Sequence, residues 1–401
     1  MGARTYRIPV AATLAYCAIV LLGVGLGLHL TPGELGRGSS LAADLFRWDS
    51  NAYLSIAQHG YNLKPTSGTV ADGFNAAFFP GYALIELAIG HLVGSWSTIW
   101  MIAPAFLLGV VSIFAFFRLA SRFFTGRELA LSTFGFALYP GASFMVAAYP
   151  VTALNLCAIL MILALLEKRP VRAAVWGGIG GFFGPLGVVA ALVVPAYVVV
   201  TWRRARRAGF ASEPRLVRPI LALAFLLVVD LSGALAVVIY QGLTLGNPFA
   251  LWRAQAHWGS VSLGQQIQQA LTLYPLRAYY GHPWIGPPGH PPFNGLEIYL
   301  QSVGSILAML TITALLLAQR RVTPWYLTTV GALVLFAYYW FDGAVVGAVA
   351  GWRLLYIAVP AFLGVGIAAR HRWRLTLALV SAFGVVLLLQ VALTVAGYFV
   401  V

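Results

Sequence analysis

Residues 8–30 read IPVAATLAYCAIVLLGVGLGLHL, an apolar run of 23 residues interrupted by nothing more polar than Thr13, Tyr16 and, at its end, His29. A helix rises about 1.5 Å per residue, so this run is long enough for the ~30 Å of bilayer hydrocarbon. It is longer than the apolar region of a signal peptide and no small-residue cleavage motif closes it, so a retained first span is expected. Similar runs follow at 76–93, 97–117, 129–147, 151–166, 173–201, 219–241, 296–318, 323–341, 354–369 and 375–401. The expected fold class is therefore all-α: a polytopic helical membrane protein with about 10–12 transmembrane or re-entrant helices, forming one membrane domain over 1–401.

Composition agrees. Apolar residues make up 60% of the chain and charged residues 9%, with mean hydropathy +0.85, whereas soluble domains carry about 25% charged residues. A cytosolic enzyme, a disordered chain and a coiled coil are excluded. The net charge of +14 would suit nucleic acid if it were spread along one face, but 19 of the 25 basic residues cluster in short segments at 4–7, 118–127, 168–172, 203–218, 320–321 and 370–374. Basic loops of this kind stay cytoplasmic, so the bilayer and not nucleic acid is the expected partner. The loops 31–75, 242–295 and 342–353 then lie outside. Segment 173–201 has basic residues on both flanks and must be a hairpin broken at Gly184-Pro185-Leu186-Gly187. One conflict remains: if 76–93 and 97–117 both cross, Arg118–Arg127 lands outside, so 76–93 either re-enters or breaks the rule.

The first outer loop carries the candidate chemistry. Leu41, Leu45, Trp48, Ala52 and Ile56 recur at helical spacing, which predicts one amphipathic surface helix over 41–57, ended by Gly60. Asp49 sits in it beside Trp48. A carboxylate there can take a proton from an attacking hydroxyl, or it can simply pair with Arg47 or Arg253. Asp44 has no neighbouring feature to recommend it.

The run Arg47-Trp48-Asp49-Ser50-Asn51-Ala52-Tyr53-Leu54-Ser55-Ile56-Ala57-Gln58-His59-Gly60-Tyr61 resembles the WD…(Y/F)L.IA..GY signature of PIG-V-like (GPI mannosyltransferase II-like) proteins, which are polytopic GT-C glycosyltransferases. Phe74-Asn75-Ala76-Ala77-Phe78-Phe79-Pro80-Gly81-Tyr82 is similar to their NFAFFPGY segment. The stretch from Gly246 through Arg253, Gln255 and Trp258 to Gly259 resembles their G.P.AF…AQ..WG segment, and Trp352–Pro360, with Arg353, resembles R.L…P. The sequence departs from the family in three places: Ala52 replaces a His or Trp, Tyr149-Pro150-Val151-Thr152 lacks a Glu, and Gly184-Pro185-Leu186-Gly187 lacks an Arg. The departures bear on the donor and acceptor pocket.

The resemblance implies a GT-C-type fold and an inverting transfer of a sugar, mannose in this family, from a polyprenyl-phosphate donor to a glycolipid or glycan acceptor. The reaction would take place on the extracytoplasmic face of the plasma membrane. It implies Asp49 as catalytic base, with Trp48, Tyr53, Tyr61, Asn75, Phe79, Arg253, Gln255, Trp258 and Arg353 binding substrate. Each Arg also admits interfacial snorkelling, the reading that Arg277 takes. No cofactor and no metal are expected, since His282 and His290 lie in a Pro/Gly-rich stretch with no helix to set ligand geometry. Cys17 and Cys157 read as small core residues. Glu86 and Asp230 are acids in apolar segments, which are costly to bury and carry a functional expectation of their own. A non-catalytic scaffold for another transferase and a lipid or solute transporter are the competing readings.

Overall fold

The computed structural model describes residues 6–30, 32, 36–62, 75–207, 217–255, 263–272, 295–343 and 350–398. Among them every regular element is a helix. They are α1 (Arg7–His29), α2 (Leu41–Leu45), α3 (Asp49–His59), α4 (Gly81–Val93), α5 (Thr98–Ala120), α6 (Gly126–Ala137), α7 (Val151–Leu166), α8 (Pro170–Phe183), α9 (Pro185–Ala191), α10 (Val193–Arg207), α11 (Val217–Leu245), α12 (Ala250–Gln255), α13 (Leu263–Leu271), α14 (Gly295–Gln319), α15 (Trp325–Ala337), α16 (Gly351–Leu355) and α17 (Leu363–Val395). Short 3-10 turns at Asn75–Ala77, Pro140–Val146 and Val359–Phe362 join some of them. Among the described residues, five segments are long and apolar enough to cross a membrane: Arg7–His29, Thr98–Ala120, Pro185–Arg207, Leu221–Leu245 and Val359–Val395. The pair 126–137 and 140–146, bent by 61°, makes a sixth.

The bundle has a basic end and an Asp49 end. At the basic end Glu167 faces Arg118, Arg122, Arg169 and Arg172 at 3.6–4.0 Å, while Glu128 pairs with Arg370 at 3.0 Å and Arg127 lies over Trp373. Three of the basic clusters thus meet in space, as a shared membrane side requires. At the other end the Tyr82 hydroxyl donates to the Met101 carbonyl, 2.7 Å away, in the first turn of α5. From there α5 runs roughly 25 Å to Arg118.

Helix α4 bears on the conflict between residues 76 and 118. It has 13 residues, about 20 Å, which is short of the hydrocarbon thickness. A re-entrant α4 followed by a spanning α5 puts Arg118 and Arg122 with the other basic residues. The hairpin expected at Gly184 is present as well. Helices α8 and α9 lie so close at Gly180 and Gly187 that a Cβ on Gly187 would strike the Gly180 carbonyl.

The separation of 354–369 from 375–401 survives inside α17. Arg372 has non-helical φ −140° and ψ 58°. The Tyr139 ring lies 5.0 Å from Phe362 and 5.4 Å from Phe383, two residues that a straight helix would hold roughly 30 Å apart. The chain therefore doubles back at Arg372. The returning half packs on α1, where Gly23 and Gly27 admit Val391 and Val395.

The single helix expected over 41–57 is not formed. The structure breaks it into α2 and α3 at Phe46–Trp48, with Trp48 at φ 54°, ψ −118°. Apolar spacing continues through the break because Phe46 turns into the core while Trp48 stays half-buried, so periodicity alone cannot reveal it. Both acids in apolar segments are fully buried, and no hydrogen-bond partner meets the carboxyl oxygens of Glu86 or Asp230 among the described residues.

Candidate active site

The break at Trp48 places Asp49 in the first turn of α3 and not midway along a helix. A carboxylate there is favoured by the partial positive charge of the helix N-terminus. The Asp49 backbone amide donates to the Tyr149 hydroxyl at 3.2 Å, and that hydroxyl donates to the Arg47 carbonyl at 3.3 Å. A tyrosine from the turn before α7 thus fixes the start of α3 from both sides.

The Asp49 carboxylate is paired with Arg353. Arg353 Nη1 donates to Asp49 Oδ2 at 2.7 Å across 304 residues of sequence. The two side chains keep 17% and 24% of their surface exposed, Arg353 and Asp49 respectively, so the pair is sheltered yet open to a ligand. Its guanidinium carbon lies 5.3 Å from the Tyr149 ring and 5.5 Å from the Phe144 ring, contacts that hold a cation in place while leaving its donors free. The Arg353 Nε–H is buried with no partner among the described residues. Burial pulls the Arg353 pKa down, and the charge and hydrogen bond of Asp49 together with the nearby Tyr149 and Tyr53 hydroxyls outweigh that and raise it. The guanidinium therefore stays charged.

Behind the pair stands a wall of rings. Tyr53 meets Phe78 at 5.5 Å, Tyr82 at 5.8 Å and Tyr149 at 6.3 Å, all edge-on, and Tyr149 meets Phe144 at 4.8 Å. Burial first, and then the charge of Asp49, push the Tyr53 and Tyr149 hydroxyls up. Both remain protonated donors.

The other expected site residues divide into groups. Arg47 is not the partner of Asp49: its guanidinium binds Asp44 at 2.6 Å and the Gly36 carbonyl at 2.7 Å, which ties down the chain before α3. Asn75 lies behind the site. Its carbonyl accepts from the Asn62 amide at 2.7 Å and its amide donates to the Gly60 carbonyl at 3.0 Å. The Tyr61 hydroxyl donates to the Phe78 carbonyl at 2.7 Å. Phe79 is half-buried beside these, and Arg253 is exposed on α12. Gln255 ends α12, while Trp258 and Arg277 lie outside the described residues.

Tyr149 and Phe144 were missed by sequence reasoning, although their place at a turn between two apolar segments was a usable signal. Gln241 was missed too. Fully buried, it donates to the Ala76 carbonyl at 3.0 Å and accepts from the Leu251 amide at 2.8 Å, clamping α12 onto the 75–77 turn.

The position of Arg353 depends on a glycine. Gly141 lies against the Trp352 carbonyl, and a Cβ there would collide with that oxygen and come within 2.8 Å of Tyr356 Cβ. Gly141→Ala should displace α16, lower stability by about 1–3 kcal/mol and move Arg353 off Asp49. Thermal unfolding in detergent checks the first effect, and a structure of the variant checks the second.

The four sequence segments that carry the family resemblance come together here. The first and last meet in the Asp49–Arg353 pair, and the second and third meet where α12 packs on the 75–77 turn through Ala76, Ala77, Ala250 and Ala254. No family model matches the chain, and no curated protein does. Among solved structures, the chain is similar to ArnT from Cupriavidus metallidurans in the apo state (TM-score 0.48, 16% identity, covering 91% of this chain and 61% of that one). It is also similar to the Archaeoglobus fulgidus oligosaccharyltransferase in the apo form (TM-score 0.46, 12% identity, covering 98% and 56%). A third is the archaeal oligosaccharyltransferase AglB from Archaeoglobus fulgidus, in complex with an inhibitory peptide and a dolichol-phosphate (TM-score 0.44, 12% identity, covering 99% and 56%). The chain spans less than two thirds of the length of each of them.

Proposed function

We propose that this protein is a GT-C-type membrane glycosyltransferase that moves a sugar, mannose by its sequence resemblance, from a polyprenyl-phosphate donor to an acceptor hydroxyl. The observation that carries the reading is the Asp49–Arg353 pair: a carboxylate and a cation, held side by side and partly open, against a cluster of aromatic rings. In a single inverting displacement the acceptor oxygen bonds to the anomeric carbon as the bond from that carbon to the phosphate oxygen breaks. The acceptor proton passes to the Asp49 carboxylate. The electron pair leaves with the polyprenyl phosphate, whose charge Arg353 meets with charge-assisted hydrogen bonds. The aromatic rings exclude water, which would otherwise compete as acceptor.

Purified protein in detergent, given polyprenyl-phosphate-mannose and a membrane glycolipid extract, should transfer labelled sugar. GDP-mannose alone should give none, and robust turnover with it would overturn the donor assignment.

The basic end is assigned to the cytoplasm by the positive-inside rule, which leaves the Asp49 end extracytoplasmic. A single cysteine at exposed Gln58 or Ala205, after replacement of Cys17 and Cys157, tests this. An impermeant maleimide applied to intact cells should label position 58 and spare position 205. Labelling at 205 would reverse the orientation.

A further inference from the structure

The basic end holds a second feature that the transfer reaction does not use. Glu167 follows α7 and stands alone among four guanidiniums: Arg122 at 3.6 Å, Arg118 and Arg172 at 3.7 Å, and Arg169 at 4.0 Å. None of the four is within hydrogen-bond distance of it, and the four Arg side chains are 48–64% exposed. One carboxylate cannot neutralise four cations, so the cluster keeps an excess of about three positive charges and most of its N–H donors unspent. Beside it lies a recess of about 550 Å³ lined by Arg169, Pro170, Val171, Arg172, Val175 and Trp176. Its floor is apolar. Val171, Val175 and Ile179 are 51%, 43% and 39% exposed, and their four-residue spacing makes them a ridge along the outer face of α8 that runs away from the cations.

A soluble anion would use the guanidiniums and have no use for the ridge; a neutral lipid would use the ridge and leave the charge unmet. We propose that this recess binds an anionic phospholipid, its phosphate between Arg169 and Arg172 and an acyl chain along Val171, Val175 and Ile179. The chemistry is that of a basic pocket at a membrane surface, where phosphate recognition by Arg is bidentate and the apolar tail gains from contact with exposed aliphatic side chains. The recess lies at the opposite end of α7 from Tyr149 and Asp49, so a lipid bound there would remain attached through turnover.

Native mass spectrometry on the delipidated full-length protein in neutral detergent can test this, with phosphatidylglycerol and phosphatidylcholine of identical acyl chains as probes. Phosphatidylglycerol should be retained with a preference of about tenfold or more, equivalent to one charge-assisted contact, and the preference should weaken as ionic strength rises. Arg169→Ala with Arg172→Ala should abolish it. Arg172→Gln alone should reduce it, which covers a failure of the double variant to fold. Glu167→Gln removes the competing carboxylate and should strengthen retention. Equal retention of the two lipids, or an undiminished preference in both Arg variants, would overturn the proposal. Displacement of the phospholipid by inorganic phosphate would also overturn it, since the site would then take free anions.

Discussion

Asp49→Asn should reduce turnover by ~10²–10⁴-fold, the usual contribution of a positioned general base, while the protein remains folded. Asparagine keeps the shape of the side chain, and its carbonyl can still accept from Arg353 Nη1, so the 2.7 Å contact is weakened and not broken. The Tyr149 hydroxyl still receives the residue-49 amide and holds the start of α3. Thermal stability should therefore fall only slightly, because the change removes one charge from a partly exposed pair. Turnover and melting temperature measured on one preparation separate base from scaffold. Turnover close to that of the unaltered protein would end the base assignment, and a large loss of stability with the specific activity of the folded fraction intact would make Asp49 a structural residue.

Arg353→Ala is expected to do different damage. It removes the cation proposed to meet the leaving phosphate and leaves the Asp49 carboxylate without its partner in a sheltered site. A hydrogen bond to a charged group contributes about 1.5–3 kcal/mol, which corresponds to a rise of roughly 10- to 150-fold in the apparent KM for a lipid-phosphate donor. Arg353→Lys keeps the charge but loses the planar fork that rests on Tyr149 and Phe144, so it should recover only part of the affinity. If KM is unchanged in both variants and only stability falls, Arg353 serves to anchor α3 and takes no part in donor binding.

Much of this architecture was legible in the sequence. Apolar run lengths marked the spans, and basic residues flanking 173–201 on both sides required the turn at Gly184. The basic stretch at 370–374 separated two segments that the structure folds against each other at Arg372. What could not be read was anything that depends on backbone direction or on distant contacts. The helix periodicity over 41–57 passes through Trp48 without a signal, because φ 54° is a backbone property that side-chain spacing does not record. Asp49 and Arg353 were each named as candidates from motifs at opposite ends of the chain. Their contact was not foreseeable, since local patterning says nothing about pairings over 304 residues. The same gap hid the hydrogen bonds that Asn75 and Tyr61 make to nearby backbone.

That sequence separation governs when the protein can first act during its own synthesis. At ~5–20 residues per second, Arg353 leaves the ribosome roughly 15–60 s after Asp49. Throughout that interval the first loop and α4 have Asp49, Tyr53 and Tyr82 but not Arg353 to complete the pair. Tyr149 arrives about a third of the way through it and can secure α3, yet the proposed leaving-group contact must wait for α16, which only α17 follows among the described helices. On the proposed function, a nascent chain exposed to lipid-linked sugars would stay inert until α16 has been made.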